Sequence, residues 1–141
     1  MIEFTVPAIP VAQPRQRHRV IQSSGKAFAT NYTPKNDPVN AFKAAVQQAA
    51  SKAYDGAPLD CPLRMDLVFV FPRPASVRKK DGDGRLPHTT KPDRDNLMKS
   101  FQDALNGLTY RDDSLICAGD TQKWKAAADE QPHVEVRITK L

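Results

Sequence analysis

The sequence is poor in cysteine and has no long apolar run, and both shortages narrow what it can be. Its two cysteines, Cys61 and Cys117, stand far apart with no CxxC pair and no histidine cluster, so neither a disulfide framework nor a zinc site is expected. Reduced thiols of this kind fit a cytoplasmic protein. No stretch approaches the ~18 consecutive apolar residues of a spanning helix. Met1-Ile2-Glu3-Phe4-Thr5 lacks the basic-then-apolar order of a secretory signal. Neither a membrane protein nor a secreted one is expected. Internal repeats and low-complexity tracts are missing too. What is there is a chain of 141 residues, 40% hydrophobic and 26% charged. That is enough for one core, in a single domain over residues 1–141.

The formal charge is +5 and the sequence pI about 9.4, a balance that suits a polyanionic partner. Its distribution says more. Between Gln13 and Lys35 the charged residues are Arg15, Arg17, Arg19, Lys26 and Lys35, with no acid. Between Pro72 and Lys91 stand Arg73, Arg78, Lys79, Lys80, Arg85 and Lys91, against Asp81 and Asp83 only. One such run serves solubility in many proteins. Two long basic loops in one small domain point instead to a use for them.

Ile2, Phe4 and Val6 alternate with Glu3 and Thr5, as in a half-buried first strand. Asn36-Asp37-Pro38 opens a helix over about 38–54, with Val39, Phe42, Val46, Ala49, Ala50 and Ala53 at helical spacing. Leu63, Met65, Leu67, Phe69 and Phe71 mark a strand that Pro72 stops. Asp95 is placed to cap a second helix, with Leu97, Phe101, Ala104 and Leu105 on its apolar face and Asn106-Gly107 as its stop. A third strand is expected within Leu115–Trp124, and a last one over His133–Thr139. The order β-α-β-α-β-β predicts an α/β (α+β) domain, in which a mixed four-stranded sheet is packed by two helices and joined by long basic loops.

Two segments carry chemistry: Lys91-Pro92-Asp93-Arg94-Asp95-Asn96-Leu97-Met98-Lys99 and Tyr110-Arg111-Asp112-Asp113. On an extended approach Asp93 and Asp95 share a side, and Lys99 lies four residues beyond Asp95 across the helix start. One or two carboxylates on a rigid element suit Mg²⁺, which keeps much of its hydration. An acid from Asp112-Asp113 would complete the set if the fold brings that turn back. Taken singly, these acids have plainer uses, at a helix N-terminus or in a turn. An acidic cluster that follows a basic loop, however, repels the phosphates the loop attracts unless a cation stands between them. A metal-dependent phosphodiester hydrolase satisfies both features.

At these residues the sequence resembles the RusA-type Holliday-junction resolvases of phages and bacteria. The likeness rests on Lys91-Pro92-Asp93-x-Asp95-Asn96-Leu97-x-Lys99, on Asp103-Ala104-Leu105-Asn106-Gly107, and on the aromatic and basic pair before Asp112-Asp113. Ile9-Pro10-Val11, Pro14-Arg15-Gln16-Arg17 and Tyr32-Thr33-Pro34 resemble the N-terminal segment of the phage-type branch, and Lys123-Trp124-Lys125 falls where the family carries basic residues. The resemblance implies that Asp93, Asp95 and Asp113 bind Mg²⁺ or Mn²⁺, with Asp112 as the alternative acid, and that Lys99 is the essential lysine. It further implies a homodimer that makes paired nicks in a four-way junction, with no organic cofactor, in a bacterial cell as a host or phage product.

The expected DNA contacts are Arg15, Arg17, Arg19, Lys91, Lys123 and Lys125. Some family members have arginines before the first aspartate, where this chain has Lys91-Pro92. Phe28 and Tyr32 are candidates for stacking on unpaired bases. Trp124 alternates with Lys123 and Lys125, which predicts a core tryptophan and outward lysines. The rival readings are a DNA-binding module without catalysis and a metal-dependent nuclease for another branched or single-stranded DNA.

Overall fold

The computed structural model describes residues 1–13, 17–23, 26–32 and 37–141, with 17–23 and 26–32 described by their backbone alone. The elements in chain order are strand β1 (Ile2–Val6), β2 (Arg17–Ser23), β3 (Lys26–Tyr32), helix α1 (Pro38–Ala53), β4 (Leu63–Phe71), β5 (Leu86–Pro87), α2 (Arg94–Leu105), β6 (Ile116–Ala118), β7 (Thr121–Lys125) and β8 (His133–Lys140). Short 3₁₀ turns cover Lys79–Asp81 and Asp113–Leu115.

The mixed α+β class agrees with the sequence, and the sheet is larger than the expected four strands. Six strands run in the order β1-β8-β4-β7-β5, with β6 paired to the start of β4. β8 is antiparallel to both β1 and β4, whereas β6 and β7 are parallel to β4. The single strand expected within 115–124 is two, β6 and β7, broken at Gly119. That glycine has φ +140°, and a Cβ there would stand 1.8 Å from the Met65 carbonyl oxygen. Only a residue without a side chain passes β4 so closely.

The first basic stretch is likewise more than a loop, because β2 and β3 form an antiparallel hairpin with Ser23 opposite Lys26. Two residues, Ser24-Gly25, separate the strands in sequence, a short polar turn signal that the run of arginines obscures.

Proline at the first position and an Asx cap start α1 as expected: Asp37 Oδ1 accepts from the Val39 amide at 3.0 Å. Val39, Phe42, Val46 and Ala50 are its buried stripe. Helix α2 buries Leu97, Ser100, Phe101, Ala104 and Leu105. Phe101 is the hub of the core. Its ring lies 6.5 Å from Phe4 of β1, 6.5 Å from Phe42 of α1, and 6.1 Å edge-on from Phe69 of β4. A fully buried phenylalanine contributes roughly 2–3 kcal/mol, and this one joins both helices to two strands. Ser100, also buried, donates to the Val11 carbonyl at 2.9 Å and so ties α2 to the segment after β1.

Candidate active site

Helix α2 begins two residues earlier than a cap at Asp95 requires. Asp93 is the N-cap residue, with extended backbone, and Asp95 lies in the first turn. Asp93 makes no side-chain capping bond, unlike Asp37 at α1; its backbone carbonyl accepts from Leu97 at 3.1 Å. The carboxylates of Asp93 and Asp95 are exposed, and neither has a hydrogen-bond or ion-pair partner among the described residues. The same holds for the exposed ammonium groups of Lys91 and Lys99. Two acids and two lysines thus stand before and within the first half of one helix, with their charged ends uncommitted among the described residues.

Two ties to β7 hold this turn in place. Lys123 Nζ donates to the carbonyls of Thr90 (2.5 Å) and Pro92 (2.7 Å), and Arg94 Nη1 donates to the Thr121 carbonyl at 3.0 Å. The Lys91–Pro92 peptide is cis.

Asp112 and Asp113 lie elsewhere. The segment before them is fixed by Leu59, whose amide donates to Thr109 O (2.9 Å) and whose carbonyl accepts from Arg111 (2.8 Å). Asn106, at the C-terminal end of α2, points its side-chain amide at Asp113 Oδ2 at 3.4 Å, and Ser114 Oγ donates to Asp112 Oδ2 at 2.6 Å. The buried Tyr110 donates to the Gln102 carbonyl at 2.7 Å. Burial pushes the Tyr110 hydroxyl pKa well up, and the negative charges of Asp113, Asp103 and Asp112 add to the effect.

Since α2 has 12 residues and rises about 1.5 Å per residue, roughly 16 Å of helix separates Asp95 from Asn106. The sheet gives the same answer. Ile116, just after Asp113, pairs with Leu63, whereas Lys123, under the Asp93 turn, pairs with Phe69. Leu63 to Phe69 is roughly 20 Å of strand. Within one chain, then, Asp93 and Asp95 are together, and Asp112 and Asp113 are at the other end of the helix.

Among the described residues, the one set of three or more acidic, histidine or cysteine side chains with donor atoms all within 4.8 Å is Glu130, His133 and Glu135. Its donors suit a divalent ion, yet a guanidinium already occupies them. Arg85 contacts both oxygens of Glu130 (2.6–3.1 Å) and Glu135 Oε2 (2.6 Å), and His133 Nε2 lies 2.8 Å from that same Glu135 oxygen. The Arg85 bonds hold the Glu130 carboxyl down to about 2, well below its usual value. Burial raises Glu135, and the bonds from His133 and Arg85 outweigh it, so its pKa is also lowered. This cluster fastens the second basic loop to β8. Sequence spacing did not show it, because Arg85 and Glu130 meet only through the fold.

The expected DNA contacts divide into three groups. Arg15, and the side chains of Arg17, Arg19, Phe28 and Tyr32, lie outside the described residues. Lys91 is exposed and Lys125 half-buried. Lys123, half-buried, has its ammonium committed to the carbonyls of Thr90 and Pro92 instead of standing free as an outward lysine. The alternation along β7 is as read, and the faces are reversed. Lys123 sits beside Phe69 on the helix-covered face, whereas Trp124 is half-buried and bonds Gln122 Oε1 at 2.9 Å instead of joining the core.

Within the second basic loop, Arg73 donates to the carbonyls of Gly82 (2.5 Å), Gly84 (3.0 Å) and Ala126 (3.1 Å). Arg78 lies 3.7 Å from Asp81, and Arg85 is held as above. Lys79, Lys80 and Lys91 are its exposed cations without a partner among the described residues.

No helix among the described residues is long and apolar enough to cross a membrane. A family model described as "Endodeoxyribonuclease RusA" matches residues 7–139. A Bacillus subtilis (strain 168) protein named "Uncharacterized protein YqaN" is 36% identical over 148 residues, spanning 99% of this chain and 96% of the relative. The "Crossover junction endodeoxyribonuclease rusA" of Lactococcus phage r1t is 24% identical over 140 residues, spanning 99% of this chain and 96% of the relative. With its acid-bearing helix start intact and the match running almost end to end, the chain belongs to the RusA endodeoxyribonuclease family.

Proposed function

We propose that the protein is a metal-dependent endodeoxyribonuclease that resolves four-way DNA junctions by paired symmetric nicks, acting as a homodimer in the bacterial cytoplasm. The observation that carries this reading is the pair Asp93 and Asp95. Both are exposed at a helix start, and neither has a capping bond or a cation among the described residues. A binding module that kept these acids as caps would engage them as α1 engages Asp37. The activity in the name of the phage relative agrees with the reading.

Asp93 and Asp95, with Asp113, are the residues that would hold Mg²⁺ or Mn²⁺, and Asp112 is the alternative acid. Carboxylate oxygens suit either ion. When bound, the cation supplies positive charge at the scissile phosphate and acidifies water. Lys99, exposed four residues after Asp95 on the same helix, would offset the charge that develops on the phosphate oxygens. Lys91, Lys79, Lys80 and Lys125, with Arg15, Arg17 and Arg19, hold duplex arms through the backbone phosphates.

The separation of Asp93 and Asp95 from Asp113 within one chain supports a site built by two copies, each giving its Asp113 turn to the other's helix start. A substrate with two-fold symmetry, cut at two equivalent places, asks for the same C2 arrangement.

The test is cleavage of a labelled four-way junction by wild type and Asp95→Asn, each with Mg²⁺ and with EDTA, beside duplex and flap controls. Symmetric, Mg²⁺-dependent nicks that the variant loses support the reading. Cuts in flaps and duplex at equal rate would make it a nuclease for another substrate. Tight junction binding without cuts under any metal would make it a binding module.

A further inference from the structure

The lysine of β7 whose ammonium the fold commits to two backbone carbonyls has a different use from the phosphate contact that the sequence suggests. We infer that Lys123 is a positioning residue of the acidic site, holding the turn that presents Asp93 instead of binding a phosphate. The inference rests on the reading of Asp93 and Asp95 as the metal-binding acids.

Three observations converge on it. Lys123 stands on a strand paired in register with the core strand, opposite the fully buried Phe69, so its base is fixed. Its ammonium donates to Thr90 O at 2.5 Å and Pro92 O at 2.7 Å, the carbonyls of the segment that leads into Asp93. Arg94, on the other side of Asp93, donates in the opposite sense to the Thr121 carbonyl of the same strand at 3.0 Å. The backbone of Asp93 is therefore clamped to β7 before and after, while its carboxylate is left uncommitted among the described residues. Charge-assisted bonds to carbonyls are short and stronger than neutral ones. Outer groups that orient metal ligands in this way commonly set metal affinity or activity by 10–100-fold.

The test uses the full chain with Lys123→Met, which keeps the length of the stem and removes the donors, and Lys123→Arg, which restores donors. Three readouts are taken: the Mg²⁺ concentration for half-maximal junction cleavage, Mn²⁺ binding to the protein alone followed by the electron spin resonance of free Mn²⁺, and the salt dependence of junction binding in EDTA.

For Lys123→Met, half-maximal cleavage should need at least tenfold more Mg²⁺, and Mn²⁺ binding should weaken in parallel. Lys123→Arg should recover part of both, and the log–log salt slope should stay that of wild type. A slope smaller by about 0.9, with unchanged metal requirement, would make Lys123 a phosphate contact and overturn the inference. A lowered melting temperature with wild-type metal binding in the folded protein would overturn it too, leaving Lys123 a stabilising residue only. If Lys123→Met does not fold, Lys123→Arg and Arg94→Met are read against the same three criteria. The two failures separate. If wild type itself leaves junctions uncut, the nuclease reading falls and takes this inference with it, whereas a Lys123→Met curve that superimposes on an active wild type overturns the inference alone.

Discussion

Asp93 stands at the N-cap position of helix α2 without a capping bond from its side chain, and Asp113 lies at the C-terminal end of that helix, within reach of Asn106 at 3.4 Å. The two acids are thus held apart by the length of a helix whose inner face is the centre of the core. No side-chain rotation closes a gap of that size, since an aspartate carboxylate reaches only a few ångströms from its Cα. Any site that uses both draws them from two copies.

The two N-cap aspartates make different predictions. Asp37 is bonded to the Val39 amide, so Asp37→Ala should lower stability by about 1 kcal/mol. Asp93 makes no such bond, so Asp93→Asn should leave the urea midpoint nearly unchanged while cleavage falls by about a hundredfold or more. A stability loss at Asp93 equal to that at Asp37 would return it to the role of a cap.

Gly119 admits no side chain. With φ +140° and a Cβ position 1.8 Å from the Met65 carbonyl, Gly119→Ala must displace backbone on β4 or β7. A loss of about 3 kcal/mol or more is expected in urea unfolding. A near-neutral Gly119→Ala would contradict the close passage of the β6–β7 connection over β4.

The Arg85 cluster sets acid stability. The Glu130 carboxyl is lowered from 4.5 to about 2 by Arg85 first and the Ala127 amide second. A carboxylate with a depressed folded-state pKa contributes stability above its unfolded value and loses it as pH falls through the folded value. Its contribution is therefore full above about 4.5 and fades toward about 2. Arg85→Met should remove the larger part of it and leave the Ala127 bond, moving the onset of acid unfolding to higher pH, as far-UV circular dichroism against pH would register. An unmoved onset would show the cluster to be inert.

The basic residues of the second loop should separate by salt titration. Lys79, Lys80 and Lys91 are exposed and without a partner among the described residues, so changing all three to Ala should reduce the magnitude of the log–log slope for junction binding by about 2.7. Arg73, committed to three carbonyls, should when replaced by Ala leave the slope as it is and lower the melting temperature.

How far the sequence was legible follows from how local each signal is. Helix α1 and strands β1, β4 and β8 were readable because each carries its own apolar period and its own punctuation: Asp37-Pro38 opens α1 and Pro72 ends β4. The β2–β3 hairpin was not, because charge and polar residues hide its alternation. β6 and β7 read as one strand because Gly119 acts through a contact with Met65, distant in sequence. Alternation at Lys123-Trp124-Lys125 was visible, but which face met the helices was not, since that depends on the register with Phe69 and on carbonyls supplied by Thr90 and Pro92. The acid motifs themselves were legible as motifs. Their separation was not, because it is a property of helix length and strand pairing together.

The most direct test of a site shared between copies is complementation in mixed dimers. Asp95→Asn and Asp113→Asn chains, each inactive alone, are carried through unfolding and refolding together, and junction cleavage is followed with Mg²⁺. If each site takes Asp93 and Asp95 from one copy and Asp113 from the other, the mixed dimer has one site with both changes and one with neither. Nicking should then return, in one strand per binding event, at up to about half the mixed population. If every site were built within one chain, each would still carry a change. A refolded mixture as inactive as its parents, with heterodimers demonstrated by mass, would contradict the account.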